Sequence, residues 1–170
     1  ICNFKQIKVR FSDIHGQDKT KDYLKSLVNK GKMPHAFLFT GSEGNGKLAM
    51  ALAFASYMQC RDLKNNESCG NCPSCTKSYQ YIHPDIHFVI PTVSSESGKS
   101  SASSQFLTAW RNRLNTGPYF NLSDWANELE VNKKFNIPTV SMFELIKTFN
   151  LKIFEGNKKV GIIWHAELMG

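Results

Sequence analysis

Two groups of residues in this sequence have the types and spacing to do chemistry. The first lies in residues 40–55, TGSEGNGKLAMALAFA. Gly41, Gly46 and Lys47 occupy the places of the pattern G-x-x-x-x-G-K-[ST], with Gly44 inside the loop. Glycines let successive backbone N–H groups converge on one anion. The helix N-terminus that follows adds partial positive charge, and Lys47 would reach the terminal phosphates. The pattern closes on Ser or Thr, whose hydroxyl holds Mg²⁺. Here that position is Leu48.

Magnesium sites of this kind need a second element, a strand ending in acidic residues. The candidate is VGIIWHAELM, 160–169. A hydrophobic run followed by Asp-Glu-Ala would place Asp at Trp164, Glu at His165 and Ala at Ala166. Glu167 falls two positions late. Leu48, Trp164 and His165 therefore all lack the oxygen ligands and general base that phosphoryl transfer uses. Their concerted loss argues against hydrolysis and against Mg²⁺-ATP as a working cofactor. It leaves open whether nucleotide still binds.

The second group is Cys60, Cys69, Cys72 and Cys75, within sixteen residues. C-x-x-C turns aim two sulfurs at one centre, and the Gly-Asn and Pro-Ser pairs suit such turns. Four thiolates complete a tetrahedral Zn²⁺ site with no open position, so the metal would be structural. It would give a polar segment, 60–78, the core that its side chains do not supply. A disulfide pair or a redox C-x-x-C are the alternatives. Cys2 stands apart as an ordinary thiol. His83, Asp85 and His87 in HPDIH would share one strand face. Sulfur is the better ligand set, and Pro84 interrupts the strand, so hydrogen-bonded structural roles are expected for these three.

The elements that must position these groups follow from periodicity. Residues 17–30 place Tyr23, Leu24, Leu27 and Val28 on one helical face. AFLFT, 36–40, reads as a buried strand. A helix follows from about 46 to 58, rich in Ala, Leu and Met. DIHFVIP, 85–91, is a second strand. The Ser-rich 94–104 reads as a mobile low-complexity loop. Residues 105–131 read as helical, with a break at NTGPYFN. A further helix spans about 140–154, with Val140, Phe143, Ile146 and Leu151 near one face, and Gly156 and Asn157 end it. KVGIIWHA, 159–166, is a third strand. Strands separated by helices predict a parallel α/β sheet, whose phosphate ligands bind beyond the strands' carboxyl ends.

The sequence has 170 residues, enough for one domain with a core. It has no apolar run of membrane-spanning length and no secretory leader, so a cytoplasmic setting is expected. The chain runs from Ile1 to Gly170 and stops directly after a strand-like run, which reads as a fragment. Its net charge of +7 is spread along the chain. That suits a solvated basic surface and permits salt-sensitive attraction to an acidic partner.

Taken in order, these features resemble the clamp-loader group of the AAA+ family. FSDIHGQ (11–17) is similar to that group's F-x-D-I-I-G-Q opening box, and MPHAFLFTG (33–41) to its first strand. The glycine loop, the four inserted cysteines, HPDIHFVIP (83–91) and KKVGIIWHAELM (158–169) follow in the same order. The resemblance implies an AAA+ P-loop parallel sheet flanked by helices over 1–170, with an inserted four-cysteine zinc module at 60–78. It places Ile14 and Gly16 near an adenine pocket. It further implies a stator-type, non-hydrolysing subunit that helps load the sliding clamp of bacterial DNA polymerase III. Its partners would be clamp-loader subunits of tau/gamma and delta type, the sliding clamp, and primed DNA through the complex. The alternative is an active ATPase subunit of tau/gamma type. A third reading, a zinc-dependent nucleic-acid module, lacks the cations: 61–78 holds only Arg61, Lys64 and Lys77.

Overall fold

The computed structural model describes residues 9–93 and 101–170. Cys2 and most of the Ser-rich stretch lie outside them. Helices are α1 (Asp18–Asn29), α2 (Lys47–Gln59), α3 (Pro73–Tyr79), α4 (Leu107–Thr116), α5 (Leu122–Glu128) and α6 (Thr139–Phe149). Strands are β1 (Ile86–Val89) and β2 (Val160–Ile163).

Helix α2 is the axis of the core. Its sequence KLAMALAFASYMQ is apolar on every side, the pattern of a helix surrounded by protein. Ala49, Ala53 and Ala55 are buried, and their small side chains let neighbours approach closely. Phe54 meets Phe37 edge-on at 5.1 Å, and Tyr57 meets Phe11 at 5.6 Å. Against α1 the helix receives Leu24, which is buried, whereas Tyr23 turns to solvent and leaves the expected apolar face narrower.

The strands β1 and β2 pair in parallel, Ile86 opposite Val160 through Val89 opposite Ile163. The crossover between them carries α4, α5 and α6. Gly161 lets α6 lie close to β2, since a Cβ there would stand 3.2 Å from the Phe149 ring and 3.3 Å from Leu145. The crossover's own core is aromatic. Trp110, fully buried, packs against Trp125 at 5.5 Å, Phe120 at 5.5 Å and Trp164 at 5.1 Å. The Trp125 indole N–H donates to the Pro91 carbonyl at 2.9 Å, so this large ring is buried without an orphaned donor.

Several expectations need correction. Residues 36–40 form no strand; Leu38 is 82% exposed, and the run has no backbone hydrogen bond among the described residues. The sheet therefore has two strands where three are expected. Helix α6 ends at Phe149, before Gly156, because residues 150–158 turn back to feed β2. Its apolar residues Val140, Phe143 and Ile146 are exposed. The cysteine segment also packs better than its composition suggests, since it forms α3 and buries Ser74, Cys75 and Tyr79. No helix among the described residues is long and apolar enough to cross a membrane.

Candidate functional site: a glycine loop and a cysteine cluster

The glycine loop leads into α2. Gly46 is the residue before the helix, at φ 72°, and Gly44 sits at φ 77°, the left-handed region that glycine enters without strain. The loop closes on its own lysine: Lys47 Nζ donates to the carbonyls of Gly41 and Ser42, both at 2.7 Å. Leu48 points into the core and is 8% exposed, so its side chain faces away from any ligand in the loop.

Beyond the end of β2, Trp164 is a packing residue. Its ring lies 5.1 Å from both Trp110 and Phe120. His165 adopts a left-handed backbone at φ 57° and sets its ring edge-on to Trp164 at 4.4 Å. Its Nδ1 contacts Glu167 Oε1 at 2.5 Å. That hydrogen bond is the main cause holding the Glu167 carboxyl below its ordinary range, and the charge of Lys47 adds to it. The late carboxylate is thus within electrostatic reach of the loop lysine.

Ile14 is buried beside Gly46: its Cγ2 lies 3.8 Å from where a Gly46 Cβ would stand. Gly16 lies in open space and joins no cluster among the described residues. One neighbour of the loop was missed in the sequence. Tyr119, in the stretch read only as a helix break, places Cε1 3.2 Å and Oη 3.5 Å from the Gly46 Cβ position. It is held there because the adjacent Phe120 is locked between Trp110 and Trp164 and covered by Arg113 at 4.8 Å. Aromatic anchoring between segments so far apart in the chain leaves no local signal.

The four cysteines converge. Their sulfurs all lie within 4.8 Å of one another. The Cys69–Cys75 separation is 3.9 Å, nearly twice a disulfide's ~2 Å. It is close to the ~3.8 Å edge of a tetrahedron with Zn–S of ~2.3 Å. Cys60, Cys69 and Cys72 each accept a backbone N–H, from Cys69, Cys72 and Cys75 respectively, at 3.3 to 3.4 Å. Burial opposes ionisation of Cys69, but the N–H donors of Asn71 and Cys72 and neighbouring thiols outweigh it and bring the thiol down to about 6. Burial pushes Cys60 and Cys75 up. Such a set, partly ionised and surrounded by donors, fits a soft divalent metal, and these four residues could hold one. The cluster is braced by Tyr79, whose hydroxyl contacts Ser68 Oγ at 2.7 Å and accepts from Arg10 Nε at 3.2 Å.

His83 and Asp85 take the expected hydrogen-bonded roles, whereas the buried Nε2 of His87 has no hydrogen-bond partner among the described residues. The Asp85 N–H donates to His83 Nδ1 at 3.1 Å, which leaves Nε2 facing Ser74 Oγ at 3.3 Å. The Asp85 carboxylate accepts three backbone N–H groups, from Phe154, Glu155 and Gly156 at 2.7 to 2.9 Å. His87 sits edge-on to Phe149.

The fold and site together define a mixed α/β domain with a small parallel sheet and flanking helices, of a kind consistent with the AAA+ class. Over residues 16–170 the chain matches the family described as DNA polymerase III, delta subunit, and it belongs to that family. It is 35% identical over 75 residues to the DNA polymerase III subunit delta' of Bacillus subtilis, covering 44% of this chain and 22% of that protein. It is also 35% identical over 66 residues to the subunit tau of the same organism, covering 39% of this chain and 12% of that protein. A third relative, the delta' subunit of Yersinia pestis, is 35% identical over 71 residues, with 42% and 20% covered. The chain thus aligns with less than a quarter of the length of each of these relatives.

Proposed function

We propose that this chain is the N-terminal domain of a stator-type clamp-loader subunit, of the delta-prime kind, that takes part in loading the sliding clamp of DNA polymerase III without hydrolysing ATP. The observation that carries this reading is Trp164. The position where a carboxylate would hold the metal's water shell is packed between Trp110 and Phe120. Leu48 supports it from the other side of the loop, being part of the core. Phosphoryl transfer depends on positioned charge, and both positions offer hydrocarbon instead.

What the loop keeps is a phosphate cradle. Gly41, Gly44, Gly46 and Lys47 would hold phosphates, with Ile14 and Gly16 toward the base. Binding there would not need Mg²⁺, and Lys47 would exchange its two carbonyl partners for phosphate oxygens. The cysteines would hold one structural zinc over 60–78. Partners would be tau/gamma-type and delta-type subunits, the clamp, and primed DNA through the complex.

The test is a titration with a fluorescent ATP analogue, with and without Mg²⁺, and with turnover assayed in the same samples. We expect no turnover and an affinity indifferent to Mg²⁺. Lys47→Ala should weaken any binding by about tenfold or more, the loss of a charge-assisted contact. Turnover abolished by Lys47→Ala would overturn the stator reading in favour of an active subunit.

A further inference from the structure

The cysteine cluster and the opening box at 11–17 are far apart in sequence, yet one residue belongs to both. The main chain of Arg10 starts the box. Its N–H donates to Asp13 Oδ2 at 2.8 Å and its carbonyl accepts the Asp13 N–H at 3.1 Å, which closes the turn Phe11–Asp13. The side chain of Arg10 reaches the cluster. Its Nε donates to the Tyr79 hydroxyl at 3.2 Å, and that hydroxyl contacts Ser68 Oγ, next to Cys69, at 2.7 Å. The guanidinium lies on Gly70, so closely that a Cβ there would overlap it. Gly70 stands between Cys69 and Cys72, at φ 78°, and its N–H is one of the donors to the Cys75 sulfur.

Two further straps run the same way. Lys25 pairs with Glu67 at 2.6 Å and lies 5.2 Å over the Phe11 ring. Asn29 Nδ2 donates to Asn66 Oδ1 at 3.3 Å, and the Tyr57 hydroxyl contacts the same oxygen at 2.8 Å. The cysteine segment is thus tied to residues 10–29, not only to the helix that precedes it. At its other end the box delivers Ile14, whose Cγ2 lies 3.8 Å from the Gly46 Cβ position. A continuous series of contacts therefore runs from the sulfurs through Arg10 to the glycine loop.

Four thiolates around one divalent ion carry a net negative charge. A guanidinium fixed beside them offsets that charge, and by holding the Cys69–Cys72 turn it lowers the cost of ordering two ligands. Groups that orient metal ligands without touching the metal are commonly worth ten- to a hundredfold in affinity. We propose that Arg10 is the positioning residue for a metal held by Cys60, Cys69, Cys72 and Cys75, and that it couples this cluster to the opening box. Metal binding orders the turn at 10–14, and the ordered turn tightens the metal by the same factor, as linkage requires. The proposal rests on the reading of the four cysteines as a zinc site.

The experiment uses the full chain and Zn²⁺ alone as the probe, under reducing conditions. Zinc affinity is measured by competition with a chromophoric chelator for wild type, Arg10→Gln and Arg10→Lys. Hydrogen exchange of the Asp13 and Ile14 amides, which donate within the turn, is then compared in loaded and stripped protein. Arg10→Gln should bind zinc about tenfold or more weakly. Arg10→Lys, which keeps the charge, should recover most of that loss. Stripping zinc from wild type should speed exchange at Asp13 and Ile14 about tenfold, the same coupling factor read at the other end. In Arg10→Gln these amides should exchange fast with or without zinc. If Arg10→Gln does not fold, Tyr79→Phe replaces it, since it keeps the ring and removes the hydroxyl that holds Nε.

Wild-type zinc affinity in Arg10→Gln overturns the proposal while leaving the zinc reading intact. So does a loss in Arg10→Lys as large as in Arg10→Gln, because the guanidinium's charge would then contribute nothing. Exchange in the wild-type box that ignores zinc overturns it too, since a residue that only stabilises the fold would lower the melting temperature without linking the two sites. If the wild-type chain binds no zinc, the reading of the cysteines fails and the proposal fails with it.

Discussion

At the scale of single residues, the site is defined by substitutions that packing has absorbed. Trp164 touches Trp110, Phe120 and His165. Restoring a carboxylate there would therefore remove a structural ring before it created a metal ligand. Trp164→Ala should cost about 3–5 kcal/mol, the range for large aromatic truncations in a core. Trp164→Asp should cost at least as much, because it adds a buried charge. Urea unfolding followed by tryptophan fluorescence checks both. The cysteines make a different case, since they pack with Tyr79 in a small cluster of their own and also converge as four sulfurs. Zinc released by a thiol-modifying mercurial should amount to one equivalent per chain, and Cys72→Ser should lower it and the melting temperature together. The convergence of the four cysteines was legible in the sequence because all four are close along the chain. Tyr119 was not, because its place beside Gly46 depends on the adjacent Phe120 reaching Trp164, on the far side of α5 and α6.

At the scale of elements, the junction of α3, β1 and the 151–158 turn is held by buried titratable groups, and its stability should follow their protonation. Burial holds His83 and His87 below their ordinary range near 6.5. The groups around His83 are Glu155 and Asp85, which favour its proton, and Lys77 and Arg61, which oppose it. Lys159 opposes protonation of His87, and Asp85 favours it. The unfolded chain therefore takes up these protons first. The histidines' contribution should be level above pH 7 and decline as pH falls through 6.5. For Asp85, burial alone would raise the carboxyl, but its three N–H donors prevail and hold it below 3.8. Its contribution is present above 3.8 and is lost as pH falls through the depressed value. Melting temperatures from about pH 8 to about pH 3 should show both declines. His83→Gln should reduce the first, leaving the part due to His87, and Asp85→Ala should lower the curve at neutral pH by about 2–3 kcal/mol, as expected for orphaning buried donors. At this scale α2 was legible from its all-round apolar sequence. The orientation of α6 was not: periodicity shows that a helix has an apolar face, not whether the chain covers it.

At the scale of the whole molecule, the sheet among the described residues has two strands. Two strands alone are marginal, and here they are supported by α2, α6 and the aromatic crossover. AFLFT has strand composition and sits directly before the glycine loop, yet among the described residues it pairs with nothing. Its reading as a strand came from apolar content, which strands and other buried segments share, whereas pairing requires a partner edge that composition does not supply. Phe37 does contribute to the core, stacking edge-on against Phe54, while Leu38 stands in solvent. The segment is thus tethered by a side chain but not by its backbone. Hydrogen exchange should separate the two kinds of order. Amides of 36–40 should exchange at least about a hundredfold faster than those that donate within the sheet, such as Trp164 to the Val89 carbonyl. Phe37→Ala should release the segment further, without changing protection in β1 and β2. Protection in 36–40 equal to that of β1 would mean that its backbone is paired after all, and that the glycine loop is carried by a sheet strand.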